Sequence, residues 1–287
     1  MTITIMSGKG GAGKTTLSVS LALELAERGK HTLLVDLDVE EPNTGIFIDK
    51  QGDKRLEASV MQPVWNSALC SHCGKCTSLC QFHALVKLPD GVMIFPDLCH
   101  SCYACSDLCP VGALPMKPAR IGEIVRYTAG NHLLFIEGIL DVGQEISSVL
   151  VRQTRDIALS EDVEIRIFDA PPGTACAARE ALNRSDLVIV VTEPTPFGLH
   201  DADLALKLSR ASGKKTLLVV NRADGEFPEM EAFLKKENIT VTATFPWIRE
   251  LSQSYSEGKL DPKGFPGFYA SLQTLAETIL NSPEGAR

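Results

Sequence analysis

The stretch Ser7-Gly-Lys-Gly-Gly-Ala-Gly-Lys-Thr-Thr16 follows a short aliphatic run, Thr2–Met6, and opens a segment with apolar residues at helical spacing. From Gly8 to Thr15 it satisfies the phosphate-binding pattern Gly-x-x-x-x-Gly-Lys-Ser/Thr. Glycines let such a loop turn tightly, so that backbone N–H groups converge on phosphate oxygens at a helix N-terminus. The pattern predicts that Lys14 reaches the β- and γ-phosphates and that the Thr15 hydroxyl ligates Mg²⁺. A flexible glycine-rich turn is the alternative.

The rest of the chain alternates aliphatic runs with segments of helical periodicity. Strands are predicted at Thr2–Met6, Thr32–Asp36, 132–137, 164–169, 186–192 and 216–221, and helices at 15–26, 146–159, 199–211 and 229–236. This alternation favours an α/β fold, with a doubly wound, mostly parallel sheet and helices on both of its faces.

Length and charge narrow the class of protein. The chain has 287 residues and a formal net charge of −8, which fits one large domain or two ordinary ones. It has no run of about 18 apolar residues and no signal-peptide start, which predicts a cytoplasmic protein without a membrane partner. The acidic balance and the lack of a Lys/Arg cluster count against nucleic-acid binding.

The cysteines are concentrated in one segment. Eight of the nine fall between Cys70 and Cys109. A core of this size needs no disulfides, and reduced thiols in the cytoplasm more often indicate metal or redox chemistry. Residues 65–118 carry three lysines and three aspartates, so the whole net charge belongs to the rest of the chain. This shift in composition predicts a small α+β domain at 65–118, inserted into a larger domain formed by 1–64 and 119–287.

The spacing of these cysteines is the most specific signal in the sequence. Cys-x₂-Cys-x₂-Cys-x₃-Cys occurs twice, and thiolates so spaced hold three corners of a cubane while the other run supplies the fourth. The predicted ligands of two [4Fe–4S] clusters are Cys70, Cys73, Cys76 and Cys109 for the first, and Cys99, Cys102, Cys105 and Cys80 for the second. Two Cys₄ zinc sites or a disulfide framework are the alternatives. The segment resembles bacterial two-cluster ferredoxins, except that Gln81 follows Cys80 where a proline is usual.

A second lysine in the phosphate-binding loop carries a further resemblance. Gly-Lys-Gly-Gly-x-Gly-Lys-Thr-Thr, from Gly8 to Thr16, resembles the deviant Walker A loop of the MinD/ParA/nitrogenase iron protein superfamily. The resemblance implies a homodimer with nucleotide sandwiched between the subunits, in which Lys9 reaches the partner's ATP as an arginine finger does elsewhere. A solvated loop lysine is the alternative.

Two aspartate motifs are similar to the switch regions of that superfamily. They are Val35-Asp-Leu-Asp-Val-Glu-Glu-Pro42 and Phe168-Asp-Ala-Pro-Pro-Gly173. The resemblance implies that Asp38 orients the attacking water, Asp36 helps to hold the Mg²⁺ shell, Asp169 is the Walker B carboxylate and Gly173 senses the γ-phosphate. Helix capping is the alternative role for the three aspartates.

The base is expected to lie further along the chain. Asn221 stands where the superfamily has its adenine-binding asparagine, with Pro246 as an added contact, although a strand-terminating turn is an alternative for Asn221. The predicted nucleotide site comprises Gly8, Lys9, Gly10, Gly11, Gly13, Lys14, Thr15, Thr16, Asp36, Asp38, Asp169, Gly173, Asn221, Arg222 and Pro246. Of these, Lys9, Lys14 and Asp38 are the predicted catalytic residues.

The ninth cysteine, Cys176, follows the second switch motif. The nitrogenase iron protein has a cluster-ligating cysteine at this offset, but this chain has no cysteine near residues 137–143 to serve as the second ligand. Two interpretations stay open, a buried apolar thiol and a functional thiol at a dimer interface.

Together these features resemble a MinD/Mrp branch with a ferredoxin insert. The leading hypothesis is an ATPase in which dimer switching is coupled to electron transfer through two [4Fe–4S] clusters to a redox partner protein. An Mrp-type scaffold that delivers clusters to an apo iron–sulfur acceptor is the alternative, although the chain lacks the C-terminal Cys-x-x-Cys of such carriers. A MinD- or ParA-like positioning protein is less favoured, because the tail at 269–280 has no basic residue for a membrane.

Overall fold

The computed structural model describes residues 1–282. Its strands are β1 (Thr2–Met6), β2 (Thr32–Asp36), β3 (Gln51–Pro63), β4 (Leu85–Leu88), β5 (Gly91–Ile94), β6 (Met116–Thr128), β7 (Leu133–Leu140), β8 (Ile165–Asp169), β9 (Leu187–Thr192), β10 (Lys215–Ala223) and β11 (Val241–Pro246). Its helices are α1 (Lys14–Glu27), α2 (Lys75–Leu79), α3 (Ala104–Asp107), α4 (Ser147–Ser160), α5 (Cys176–Leu182), α6 (Pro196–Ala211), α7 (Pro228–Glu237), α8 (Arg249–Ser256) and α9 (Pro266–Leu280).

Nine of the strands form one sheet in the order β11-β10-β9-β1-β8-β2-β7-β6-β3. Neighbours from β11 to β7 run parallel, whereas β6 and β3 pair antiparallel at one edge. Parallel strands covered by helices are buried on both faces, which explains their continuous aliphatic runs. The predicted α/β fold with a large, mostly parallel sheet is confirmed.

Helices cover both faces of this sheet. On one face, α1 packs against β1 and α9 packs against β11 and α1, and the fully buried Leu21 and Leu25 of α1 belong to this core. Burying each leucine contributes roughly 1.5–3 kcal/mol to folding. On the other face, α4, α5 and α6 form a second core that includes Leu150 and Leu206. The two cores cover both faces of the central strands, and the phosphate-binding loop begins directly after β1.

The predicted strands and helices of the larger domain occur within a few residues of their expected bounds, but several elements were not predicted. Strands β3 and β6 were missed because their outer halves are exposed and polar, so they show no aliphatic run. Helix α9 was not predicted either, and it buries one face, with Phe268, Leu272 and Leu275, in the core. Within residues 1–282, no helix is long and apolar enough to cross a bilayer.

Residues 65–118 form short elements between the edge strand β3 and its neighbour β6. Helices α2 and α3 and the antiparallel pair β4–β5 surround a small core that includes Leu85, Cys105 and Leu114. At the junction, the Val64 N–H donates to the Pro115 carbonyl at 2.9 Å, so the chain leaves and re-enters the sheet at adjacent points. The assignment of 65–118 as a separate domain stays a prediction.

Candidate functional site

A cavity of about 340 Å³ lies at the carboxyl edge of the parallel strands. This volume is in the range of small-molecule sites. The predicted residues that line it are Gly10, Gly11, Gly13, Lys14, Thr15, Thr16, Asp38, Asn221, Arg222 and Pro246. The structure therefore brings the phosphate-binding loop together with residues from β10 and β11, more than 200 positions along the chain.

The loop depends on close backbone approaches. Gly13 has φ of +93° at the start of α1, and an added Cβ would lie 2.1 Å from the Asn221 amide nitrogen. That amide donates a 2.9 Å hydrogen bond to the Ala12 carbonyl. Asn221 thus anchors the loop from within β10, which continues to Ala223, so its interpretation as a strand-terminating turn residue is wrong. Gly8 is equally constrained, because a Cβ there would lie 2.2 Å from the Asp201 carbonyl oxygen.

Two predicted carboxylates lie side by side beneath the loop. Asp36 and Asp169 are paired neighbours on β2 and β8, and both are buried. Asp36 accepts hydrogen bonds of 3.0 Å from the backbone N–H groups of Asp38, Asn43 and Thr44. Burial, with the nearby Asp169 adding to it, raises the pKa of Asp36 to about 8. Asp36 therefore organises the first switch loop, and its role toward Mg²⁺ stays a prediction.

Asp169 is held from two sides. Ser18 donates to one of its oxygens at 3.0 Å and Thr44 donates to the other at 3.1 Å. Burial raises the pKa of Asp169, and the Lys14 ammonium opposes this shift. Sequence reasoning missed Thr44, which joins the two aspartates, because a single threonine after Asn43 matches no motif.

Asp38 differs from these two in facing the cavity. Partial burial raises its pKa to about 6, Lys14 opposes the shift, and Asp169 adds to it. A half-buried carboxylate that faces the cavity can accept a hydrogen bond from a water molecule there. Gly173 lies outside the cavity lining, but its N–H donates to the Ser7 carbonyl at 3.2 Å and ties the second switch to the loop.

Lys9 does not line the cavity, and its side chain pairs with Glu193. Its ammonium lies 3.8 Å from a Glu193 oxygen, and the other oxygen of Glu193 accepts a 2.6 Å hydrogen bond from Arg222. The Arg222 guanidinium also lies over the Trp247 ring, 5.8 Å from its centroid. The Lys9 side chain is 38% exposed, so this ion pair contributes little to stability.

Helix α8 and the loop before it supply site residues that sequence reasoning missed. Trp247 and Tyr255 both line the cavity. The Tyr255 ring stacks on Phe47 with centroids 4.5 Å apart, and its hydroxyl interacts with the Thr15 side chain. Burial raises the pKa of Tyr255, and Asp169 and Asp36 add to the shift. In the sequence, the one sign of these two site residues is that aromatic side chains occur in an otherwise polar stretch.

The eight clustered cysteines line two separate small cavities. One is lined by Cys70, Cys73, Cys76 and Cys109, and the other by Cys80, Cys99, Cys102 and Cys105. Each grouping combines three cysteines of one run with one of the other. The backbone N–H groups of Ala84 and Ala113 donate to the Cys80 and Cys109 sulfurs, at 3.3 and 3.2 Å.

The backbone repeats between the two runs. Left-handed residues occur at the same offsets, with φ of 53° at His72 and Ser101, and 76° and 64° at Gly74 and Tyr103. Non-glycine residues in this region cost about 1–2 kcal/mol each, and such outliers cluster at functional sites. The two cysteine runs therefore share the same backbone conformation.

Among residues 1–282, no three His, Cys, Asp or Glu side chains converge as ligands of one metal ion. In a [4Fe–4S] cluster each thiolate binds a different iron, so the four ligands surround a group of eight atoms and do not converge on one ion.

The ninth cysteine, Cys176, is exposed at the start of α5, so its interpretation as a buried thiol is wrong.

We expect the buried aspartate pair to make the nucleotide-free protein pH-sensitive. Because the pKa of Asp36 is raised, its contribution to stability is present near pH 4 and is lost as the pH rises toward about 8. Asp36→Asn removes this titration. Urea unfolding should show the free energy of unfolding of the variant gaining on wild type by up to about 1.4 kcal/mol per pH unit in this window. A constant difference across the window would contradict the assignment.

Comparison with known proteins agrees with this geometry. The family model of the CobQ/CobB/MinD/ParA nucleotide binding domain matches residues 3–261. The uncharacterized protein MJ0579 of Methanocaldococcus jannaschii is 34% identical over 284 residues, which cover 98% of this chain and 97% of that protein. The septum site-determining protein MinD of Synechocystis is 25% identical over 250 residues, 86% of this chain and 73% of that protein.

A solved structure shows the same fold. The septum site-determining protein MinD from Pyrococcus horikoshii, complexed with Mg-ADP, superposes with a TM-score of 0.61 at 18% identity, covering 98% of this chain and 97% of that one. Since the family model spans most of the sequence and a relative above 30% identity spans nearly all of it, the chain belongs to the CobQ/CobB/MinD/ParA family of nucleotide-binding domains.

Proposed function

We propose that this protein is a Mg²⁺-dependent ATPase whose nucleotide-driven dimer switching is coupled to electron transfer through two [4Fe–4S] clusters. One observation carries the proposal: two cavities, each lined by four cysteines, share a chain with a phosphate-loop cavity. The coupled function is inferred from this combination, because the family itself establishes only a nucleotide-binding domain.

The roles proposed for hydrolysis follow from the cavity. Lys14 is only 7% exposed, so a phosphate group near it meets a charge that water screens weakly. Thr15, beside Asp169, is suited to hold Mg²⁺, and Asp38 is suited to orient the attacking water. Phosphoryl transfer leaves the protein mainly positioning and electrostatic stabilisation, which these side chains can supply.

Two substitutions separate binding from hydrolysis. Lys14→Ala should abolish ATP binding, measured by equilibrium dialysis, because it removes the buried charge that faces the phosphates. Asp38→Ala should keep binding and slow phosphate release by roughly 10²-fold or more. The matched control is Asp49→Asn, an exposed aspartate beyond the first switch, which should hydrolyse like wild type. Normal hydrolysis by Asp38→Ala would show that this carboxylate does not position the water.

A homodimer is proposed on the surface beside the loop. Phe197 is 77% exposed at the start of α6, and one turn later Asp201 packs its backbone against Gly8. An exposed aromatic ring on a helix that packs against the phosphate-binding loop is typical of an interaction surface. In the dimer, Lys9 would leave Glu193 and contact the nucleotide of the partner subunit.

The Lys9–Glu193 ion pair then competes with dimer formation. In the hydrolysis-deficient Asp38→Ala background, Glu193→Gln should lower the protein concentration for half-maximal ATP-dependent dimerisation by no more than about fivefold, because exposed ion pairs are worth up to about 1 kcal/mol. Sedimentation velocity measures this concentration. With Lys9→Ala already present, Glu193→Gln should have no further effect. An equal effect in that background would exclude competition through Lys9.

The residues of the two cysteine cavities fit [4Fe–4S] clusters. Four thiols line each cavity, and thiolates are the ligands that hold such clusters. Two of the sulfurs already accept backbone N–H donors, an interaction that tunes cluster potential. Bound clusters would supply one-electron chemistry, and the side chains of residues 65–118 would set their exposure and potential.

Cluster content gives a direct test. Anaerobically prepared protein should contain about eight irons and eight sulfides per chain, since each of two clusters holds four. Cys73→Ala should alter one cluster and leave the other, as seen by EPR after reduction. Cys176→Ala is the matched control with another exposed cysteine, and it should keep the full content. Zinc in place of iron, or equal loss in both variants, would refute the ligand sets.

Cluster delivery is the second candidate, because Cys73 and Cys102 are exposed and accessible to an acceptor. Reduced protein should be oxidised by methyl viologen at a rate that depends on Mg-ATP if electron transfer is the function. Release of iron and sulfide to an apo-ferredoxin faster than to a chelator would instead favour the carrier.

A further inference from the structure

A cleft of about 580 Å³ separates the nucleotide-binding part from residues 65–118. Asp38 of the first switch and Pro172 of the second line it on one side. Both residues also line the nucleotide cavity. Because they belong to two cavities, a change in either switch alters the shape of both spaces.

Residues on the opposite side of the cleft also line a second cavity. Phe82 and His100 line the cleft and also line the cavity of the second cysteine set. Their rings stack with centroids 3.8 Å apart and an interplanar angle of 16°. This pair is therefore the wall between the cleft and the second cysteine cavity. The cavity of the first cysteine set shares no lining residue with the cleft.

The two cysteine runs are repeats of each other, so residues at equivalent positions around the two cavities can be compared. Phe82 follows Cys80 by two positions, and Val111 follows Cys109 by two. In the same way, the residue after the first cysteine of each run is His100 in the second set and Ser71 in the first. The larger aromatic pair occurs only on the side that meets the switches, and the smaller pair lines the first cavity.

Hydrogen bonds attach the wall to strand β3 at the edge of the sheet. The Ser101 hydroxyl donates to the Met61 carbonyl of β3, and the Gln62 side chain donates to the Pro96 carbonyl at 3.2 Å. These bonds hold the second cysteine run against the edge of the sheet, whereas the switch loops on the opposite side of the cleft surround the nucleotide cavity. Movement of the switches would then change the cleft and the solvent that reaches the wall.

We infer that the state of the bound nucleotide is communicated to the second cysteine site, and not to the first, across this cleft and through the Phe82–His100 pair. The inference rests on the proposed function, because it concerns clusters at those sites. The potential of a [4Fe–4S] cluster depends on its solvent exposure and on nearby charge. Closing or opening the cleft changes both at the second site.

The test is an anaerobic redox titration followed by EPR, on the full chain without nucleotide, with Mg-ADP and with a non-hydrolysable ATP analogue. The midpoint of one cluster should shift between nucleotide states and the other should stay. In Cys73→Ala, which keeps the second set complete, the shift of the intact cluster should persist. In Cys102→Ala, which keeps the first set complete, the intact cluster should show no shift.

Variants of the wall test the route itself. Phe82→Val with His100→Ser gives the second site the residues that the first site has at these positions, and both are exposed, so folding should be preserved. This double variant should lose at least half of the nucleotide-dependent shift while binding nucleotide as wild type does. Ser71→Ala with Val111→Ala is the matched control and should retain the shift.

The possible failures are distinguishable. Protein without iron would overturn the proposed function and the inference with it. Two clusters whose midpoints ignore nucleotide, or a shift confined to the first site, would overturn the inference and leave the clusters in place. A full shift in the Phe82→Val/His100→Ser variant would reject the wall as the route.

Discussion

The contact between Asp36 and Asp169 is the constraint on which the nucleotide site depends. They are paired on adjacent parallel strands and both are buried, so they cannot easily ionise together. The chain offsets this cost with three backbone N–H donors to Asp36 and two hydroxyl donors to Asp169. Thr44 contributes to both sets. The first switch loop, the second switch and α1 are thereby held by one electrostatic arrangement, and a bound divalent cation would relieve the remaining repulsion.

The parallel sheet and the phosphate-binding loop could be predicted because their signals are local. Buried parallel strands are aliphatic, and a phosphate loop needs glycine at fixed positions. The antiparallel strands β3 and β6 could not be predicted, because their exposed halves resemble solvated loops. Trp247 and Tyr255 escaped prediction for a different reason. They reach the cavity through the packing of α8 and the loop before it, a long-range arrangement that no sequence spacing reveals.

The spacing of the cysteines predicts which of them are grouped together, but not how the segment is oriented. The predicted groupings of three cysteines with one from the other run are also the groupings that line the two cavities. Spacing indicates such an arrangement because each run is too short to surround a cubane by itself. Spacing does not reveal how the segment is oriented relative to the larger domain. It could therefore not show that the Phe82–His100 pair lies on the side of the cleft opposite the switches. That asymmetry arises from how the segment is fixed to the edge of the sheet, through Ser101 and Gln62.

The point of attachment explains why one chain can contain both parts. The chain leaves the sheet at Val64 and returns at Pro115, which are joined by a 2.9 Å backbone hydrogen bond, so the ends of the segment are already close. Loop-closure entropy then rises only slowly with the length of what lies between them. Strand β6 pairs with both β3 and β7, so the parallel core is not interrupted. The two parts meet at the junction, at the end of β3 and around the cleft. The cleft is lined by residues of both switches, Asp38 and Pro172, and the junction at Val64 and Pro115 lies outside them.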